Sequence, residues 1–140
     1  MSQDKLFLID AHALCYRAFF AIKSLSNSKG QATNAVYGFL NILRKILREY
    51  DPTHIGVCFD TGKKTLREEK FGAYKIQRPK MPDDLISQIP WIKKLVSAYN
   101  IPIFECDGYE ADDCIATVVE KLKKEDIEVV IVSDDKDMCQ

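Results

Sequence analysis

A chain of 140 residues, 46% of them hydrophobic, is long enough to bury one core and too apolar to be mostly disordered. Its formal charge of −1 excludes a uniformly basic nucleic-acid binder, although a net value averages over opposed patches. No apolar run approaches the length of a membrane span, and the N-terminus lacks the hydrophobic region of a signal peptide, so no membrane partner is expected.

Leu6 to Ile9 is a continuous apolar run ending in Asp10, the pattern of a buried parallel strand whose last residue emerges at the carboxyl edge of a sheet. Ala11 to Ile22 follows as a helix with Leu14, Ala18 and Ile22 on one face, and Lys23 to Gln31 reads as a polar loop. Thr33 or Asn34 then caps a helix to about Tyr50, with Val36, Phe39, Leu40, Leu43, Ile46 and Leu47 as its apolar stripe. Asp51-Pro52 ends it.

Ile55 to Phe59 is a second buried-type strand, again followed by an aspartate, Asp60. From Thr61 to Met81 the composition turns polar and basic, with Phe71 and Tyr74 interleaved, which predicts an exposed, partly helical segment. Pro82-Asp83-Asp84 opens a helix to about Tyr99 that Pro90 should kink or split. Ile101 to Cys106 is a third strand, with Pro102 near its start.

Gly108 supplies a turn, and Ala111, Cys114, Ile115, Val118, Val119 and Leu122 recur at helical spacing to about Lys124. Glu128 to Val132 is the fourth strand, running into Ser133-Asp134-Asp135-Lys136-Asp137. Strands separated by helical segments predict one α/β domain over residues 1–140, a mostly parallel central sheet flanked by helices. The five cysteines, Cys15, Cys58, Cys106, Cys114 and Cys139, form no C-x-x-C pair. They suit core thiols in a reducing cytoplasm better than a zinc site or a disulfide framework.

All four strands end in acid. Between Glu105 and Asp113 stand five acidic residues and no base. A single aspartate after a strand is an ordinary cap or turn former, and acids in a helix's first turn are favoured by its dipole. Four acidic strand ends are harder to explain, because ligands of parallel sheets bind at that edge. Like charges gathered there repel by about 4 kcal/mol per pair at about 4 Å and an effective dielectric of about 20. Protonation could relieve them, but hard oxygen donors are the expected site for Mg²⁺ or Mn²⁺. Two such ions, about 3.5 to 4 Å apart, support phosphodiester hydrolysis.

Between Lys63 and Lys80, seven basic residues (Lys63, Lys64, Arg67, Lys70, Lys75, Arg78, Lys80) face two acidic ones. A solvated linker face is the bland reading. The functional reading is a strip that contacts phosphates without reading sequence, with Phe71 or Tyr74 stacking on an exposed base.

The stretches LFLIDAHALCYRAFFAI from Leu6, NAVYGFLNIL from Asn34, VCFD from Val57, FGAYKIQRPKMPDDL from Phe71, GYEADDCIAT from Gly108 and SDDKDMCQ from Ser133 resemble the 5′ nuclease family. That family includes the N-terminal 5′ to 3′ exonuclease domain of bacterial DNA polymerase I and the flap endonucleases, and the likeness covers essentially the whole chain. It implies a PIN-like, resolvase-like fold and Mg²⁺- or Mn²⁺-dependent cleavage of DNA with 5′ ends or flaps, as in replication and repair, with two ions in a complete site. By the same resemblance Asp10, Asp60, Glu110, Asp112, Asp113, Asp135 and Asp137 are metal ligands. Lys75 and Arg78 are the catalytic or phosphate-contacting basic pair, and Tyr16, Arg17, Arg67 and Tyr74 contact nucleic acid. Asp134 stands where the family usually has a small residue and is taken as a bystander; His12 is taken as a turn or surface residue.

Family members continue beyond the equivalent of Gln140, with further aspartates for the second metal and a helical element that clasps DNA. A polymerase domain in cis or trans is a further expected partner. Two alternatives follow: a catalytically incomplete fragment that binds metal and branched nucleic acid without cutting it, and a small ribonuclease of the related fold. A phosphoacceptor receiver domain would leave the basic segment unexplained.

Overall fold

The computed structural model describes residues 4–59, 81–105, 111–122 and 127–133. In chain order these form β1 (Asp4–Asp10), α1 (Ala11–Ala21), α2 (Asn34–Tyr50), β2 (His54–Phe59), α3 (Asp83–Ile86), α4 (Ile89–Ala98), β3 (Ile103–Glu105), α5 (Ala111–Lys121) and β4 (Ile127–Val132). The apolar run in β1 has no polar face because both of its faces are covered. Phe7 and Ile9 enter one core cluster and Leu8 the other, as the two-residue period of a strand requires.

The four strands are all parallel, in the order β3-β2-β1-β4. On one face Phe7, Ile9, Val57 and Phe59 meet Leu14, Cys15, Phe39, Leu43, Ile46, Leu85, Ile92 and Val96 from α1 to α4. On the other, Leu8, Cys58 and Ile131 meet Ile115 of α5. Helices on both faces are what a fully buried parallel sheet needs.

Helices α1 and α2 approach closely because α2 has a glycine at their crossing. A Cβ on Gly38 would lie 2.7 Å from the Cβ of Ala18, inside contact distance for two carbons.

The proline expected to interrupt the third helical segment does split it. Pro90 falls in the first turn of α4, where its missing N–H costs no helical bond, and Gln88 sits fully buried at the junction with α3. That junction explains a departure from the sequence reading. Thr33 occupies the N-cap position of α2 but makes no side-chain cap bond. Gln88 Oε1 instead accepts from Ala35 N at 2.8 Å and Val36 N at 3.0 Å. At the other end of α2, Asp51 adopts the left-handed conformation, φ 42°, before Pro52.

The third strand is shorter than expected. It starts at Ile103 rather than Ile101 and lies at the sheet edge, since Pro102 has no N–H to donate. Its carbonyl still accepts from Val57 N at 3.0 Å. The predicted segment 61–80 and the turn at Gly108 lie outside the described residues.

Candidate metal centre

Register brings the carboxyl ends of the strands to one level. Asp10 pairs with Cys58, Phe59 with Glu105, and Ile9 with Val132. The chain steps outward from β1 through β2 to β3, then returns to place β4 on the other side of β1. The strand order therefore reverses between β1 and β4, and open parallel sheets bind ligands in the crevice at such a reversal. Asp10 ends β1 at that position.

Asp10 is 8% exposed. Its backbone is extended, φ −79° and ψ 99°, and its Oδ1 accepts from Ala13 N at 3.2 Å. The residue thus caps α1 as well as ending the strand. Its charge is felt by two buried thiols: Cys15 and Cys58 are each pushed up from 9.0 to about 12, chiefly by burial and further by Asp10. Protonated thiols are poor metal ligands. The donor Asp10 presents is a hard carboxylate oxygen, which fits Mg²⁺ or Mn²⁺ and disfavours a soft, thiolate-bound ion.

Asp10, Tyr16 and Arg17 are the predicted site residues whose side chains the structure describes. Asp112 and Asp113 lie in the first turn of α5. Asp60, Glu110, Asp135, Asp137, Arg67, Tyr74, Lys75 and Arg78 lie outside the described residues. Among the described residues, no three histidines, cysteines or acids gather as a metal-holding group.

Tyr16 is half-buried on α1 and Arg17 exposed. His12 is not in a turn but in the first turn of α1, with its ring 5.7 Å from that of Tyr16. Tyr16 in turn stacks on Phe20 at 6.3 Å and 19°. The three rings, each four residues apart, line one face of the helix that Asp10 caps, and Phe20 is 64% exposed. Sequence reasoning missed this ladder, although the spacing of four was legible. It also missed Lys93, whose Nζ lies 2.7 Å from Glu105 Oε1 and 5.3 Å above the Phe59 ring. No local pattern joins those three residues.

Comparison with known proteins follows the same lines. Residues 5–140 match the family model of the 5′-3′ exonuclease N-terminal resolvase-like domain. DNA polymerase I of Geobacillus stearothermophilus is 49% identical over 138 residues, 99% of this chain and 16% of that protein. A 5′-3′ exonuclease of Aquifex aeolicus is 46% identical over 135 residues, 96% of this chain and 47% of that protein. The chain therefore spans about half or less of the relatives it matches.

Among solved structures, the flap endonuclease of bacteriophage T5 in a complex with DNA and metal ions superposes with a TM-score of 0.64. It is 25% identical, and the match covers 94% of this chain and 49% of that one. The sheet order, the helices on both its faces and the match over residues 5–140 agree: the chain belongs to the family of 5′-3′ exonuclease N-terminal resolvase-like domains, as found in DNA polymerase I.

Proposed function

We propose that the chain is the catalytic N-terminal part of a metal-dependent 5′ to 3′ exonuclease or flap endonuclease acting on DNA with 5′ ends or flaps. The observation that carries this reading is Asp10, a carboxylate at the reversal of strand order in a sheet whose strand ends are level. Phe59, Glu105 and Ser133 are the last described residues before the segments that carry Asp60, Glu110, and Asp135 with Asp137. Those acids, with Asp112 and Asp113, are the residues that would hold Mg²⁺ or Mn²⁺.

An Mg²⁺ or Mn²⁺ ion held by these acids would supply Lewis-acid stabilisation and lower the pKa of a water for phosphodiester hydrolysis. The chain's own groups bind and orient the substrate. Lys75 and Arg78 hold the reacting phosphate, Arg17 and Arg67 neighbouring phosphates, and Tyr16 and Tyr74 stack on bases near the 5′ end. The basic segment 63–81 belongs to the same catalytic unit, and a polymerase region is the expected neighbour in cis or trans. An end-labelled 5′-flap DNA, incubated with the chain and Mg²⁺, Mn²⁺ or EDTA, tests this. Metal-dependent product lost in Asp112→Asn supports it, and equal cleavage by Asp112→Asn contradicts it.

A further inference from the structure

Phe59 and Glu105 are register partners at the carboxyl ends of β2 and β3, and both are held by one ammonium group from α4. Lys93 Nζ donates to Glu105 Oε1 at 2.7 Å and lies 5.3 Å from the centroid of the Phe59 ring. Phe59 is 2% exposed, whereas the Lys93 and Glu105 side chains are 34% and 39% exposed. The ammonium therefore sits where a buried ring meets a half-exposed carboxylate. β3 has only three residues and lies at the sheet edge, so few ladder bonds fix its end. The Lys93 contact is a charged tie between that end and α4.

From Phe59 the chain passes directly to Asp60, and from Glu105 it leads through four residues to Glu110. We propose that Lys93 is a positioning residue for the metal centre: by tying the ends of β2 and β3 to α4, it fixes the points from which the chain departs toward Asp60 and Glu110. This rests on the metal-dependent reading above. Groups that hydrogen-bond a metal's ligands change affinity by about 10- to 100-fold when removed; Lys93 contacts residues that precede the ligands, so its effect belongs at the lower end of that range, whereas an exposed ion pair contributes little to stability. Metal affinity is therefore the property that should move.

The test is calorimetric titration of the 140-residue chain with Mn²⁺, for the wild type and for Lys93→Met, Lys93→Arg and Glu105→Gln, each checked for a cooperative thermal melt. Lys93→Met and Glu105→Gln should both weaken Mn²⁺ binding, by about tenfold, with Lys93→Arg near wild type. The two losses have the same sign although they change the local charge in opposite directions. A through-space charge effect would instead tighten binding in Lys93→Met and weaken it in Glu105→Gln. That pattern, or unchanged affinity in a folded Lys93→Met, would overturn the proposal while leaving the metal centre intact. A folded wild type that binds no Mn²⁺ would overturn both.

Discussion

Gln88 and Asn34 lie 54 residues apart and share a buried hydrogen bond, Gln88 Nε2 donating to Asn34 Oδ1 at 2.8 Å. Asn34 Nδ2 donates to the carbonyls of Phe19 and Ile22 at the end of α1, both at 2.8 Å. Gln88 caps α2 through Ala35 N and Val36 N and donates to the carbonyl of Asp84 in α3 at 2.9 Å. Two amides thus satisfy backbone groups of three helices, and the helix bearing Tyr16 and Arg17 is pinned to the segment that follows the basic strip.

Gln88→Ala should therefore destabilise the fold by about 3 kcal/mol, because a buried partner left unsatisfied costs about 1 to 3 kcal/mol and several are left at once. Asn34→Ala should cost a similar amount, and the double variant less than the sum, since the two share one network. Urea unfolding of the four proteins measures this. Additive losses would show that the network is not a unit.

How much of this was legible depends on range. The strand at Leu6 to Ile9, the long helix to Tyr50 and the split at Pro90 follow from local pattern and the stereochemistry of proline. Thr33 takes the N-cap position of α2, as its residue type suggests, but the side chain that accepts from the helix's first N–H groups comes from Gln88, which no local pattern reveals. The third strand was overextended because Ile101 is buried without being part of the ladder, and periodicity does not separate those two cases. At the candidate metal centre, acids that follow strands can be read from the sequence. The common level of the strand ends needs the register, and Lys93 needs the tertiary fold.

The thiols of Cys15 and Cys58 set a limit at high pH. Both are raised from 9.0 to about 12 by burial and by Asp10, so above pH 9 the unfolded chain releases their protons while the folded chain keeps them. Stability is then lost as pH rises from about 9 to 12, by about 1 kcal/mol per pH unit for each thiol. Urea midpoints at about pH 8 and about pH 10.5 should fall less in a Cys15→Ala/Cys58→Ala variant than in the wild type. Equal falls would mean that the thiols do not carry the effect.

The basic strip should show itself in salt dependence. If Lys75 and Arg78 each contact a phosphate, Lys75→Ala and Arg78→Ala should weaken binding to flap DNA. Each should reduce the slope of log K against log salt by about 1. Fluorescence anisotropy between low and physiological salt reads the slope directly, and an unchanged slope would remove these residues from the interface.

Asp10 caps α1 through its side chain and, in this account, holds metal through the same carboxylate. Asparagine caps as well as aspartate, whereas alanine loses about 1 kcal/mol, so Asp10→Asn removes the charge without removing the cap. The most direct measurement is cleavage of an end-labelled 5′-flap DNA by wild type and Asp10→Asn of matched thermal stability, in Mg²⁺, Mn²⁺ and EDTA. A metal-holding Asp10 entails metal-dependent cleavage by the wild type and a loss of at least about 100-fold in Asp10→Asn, the scale of electrostatic stabilisation in a transition state. Undiminished cleavage by Asp10→Asn would contradict it.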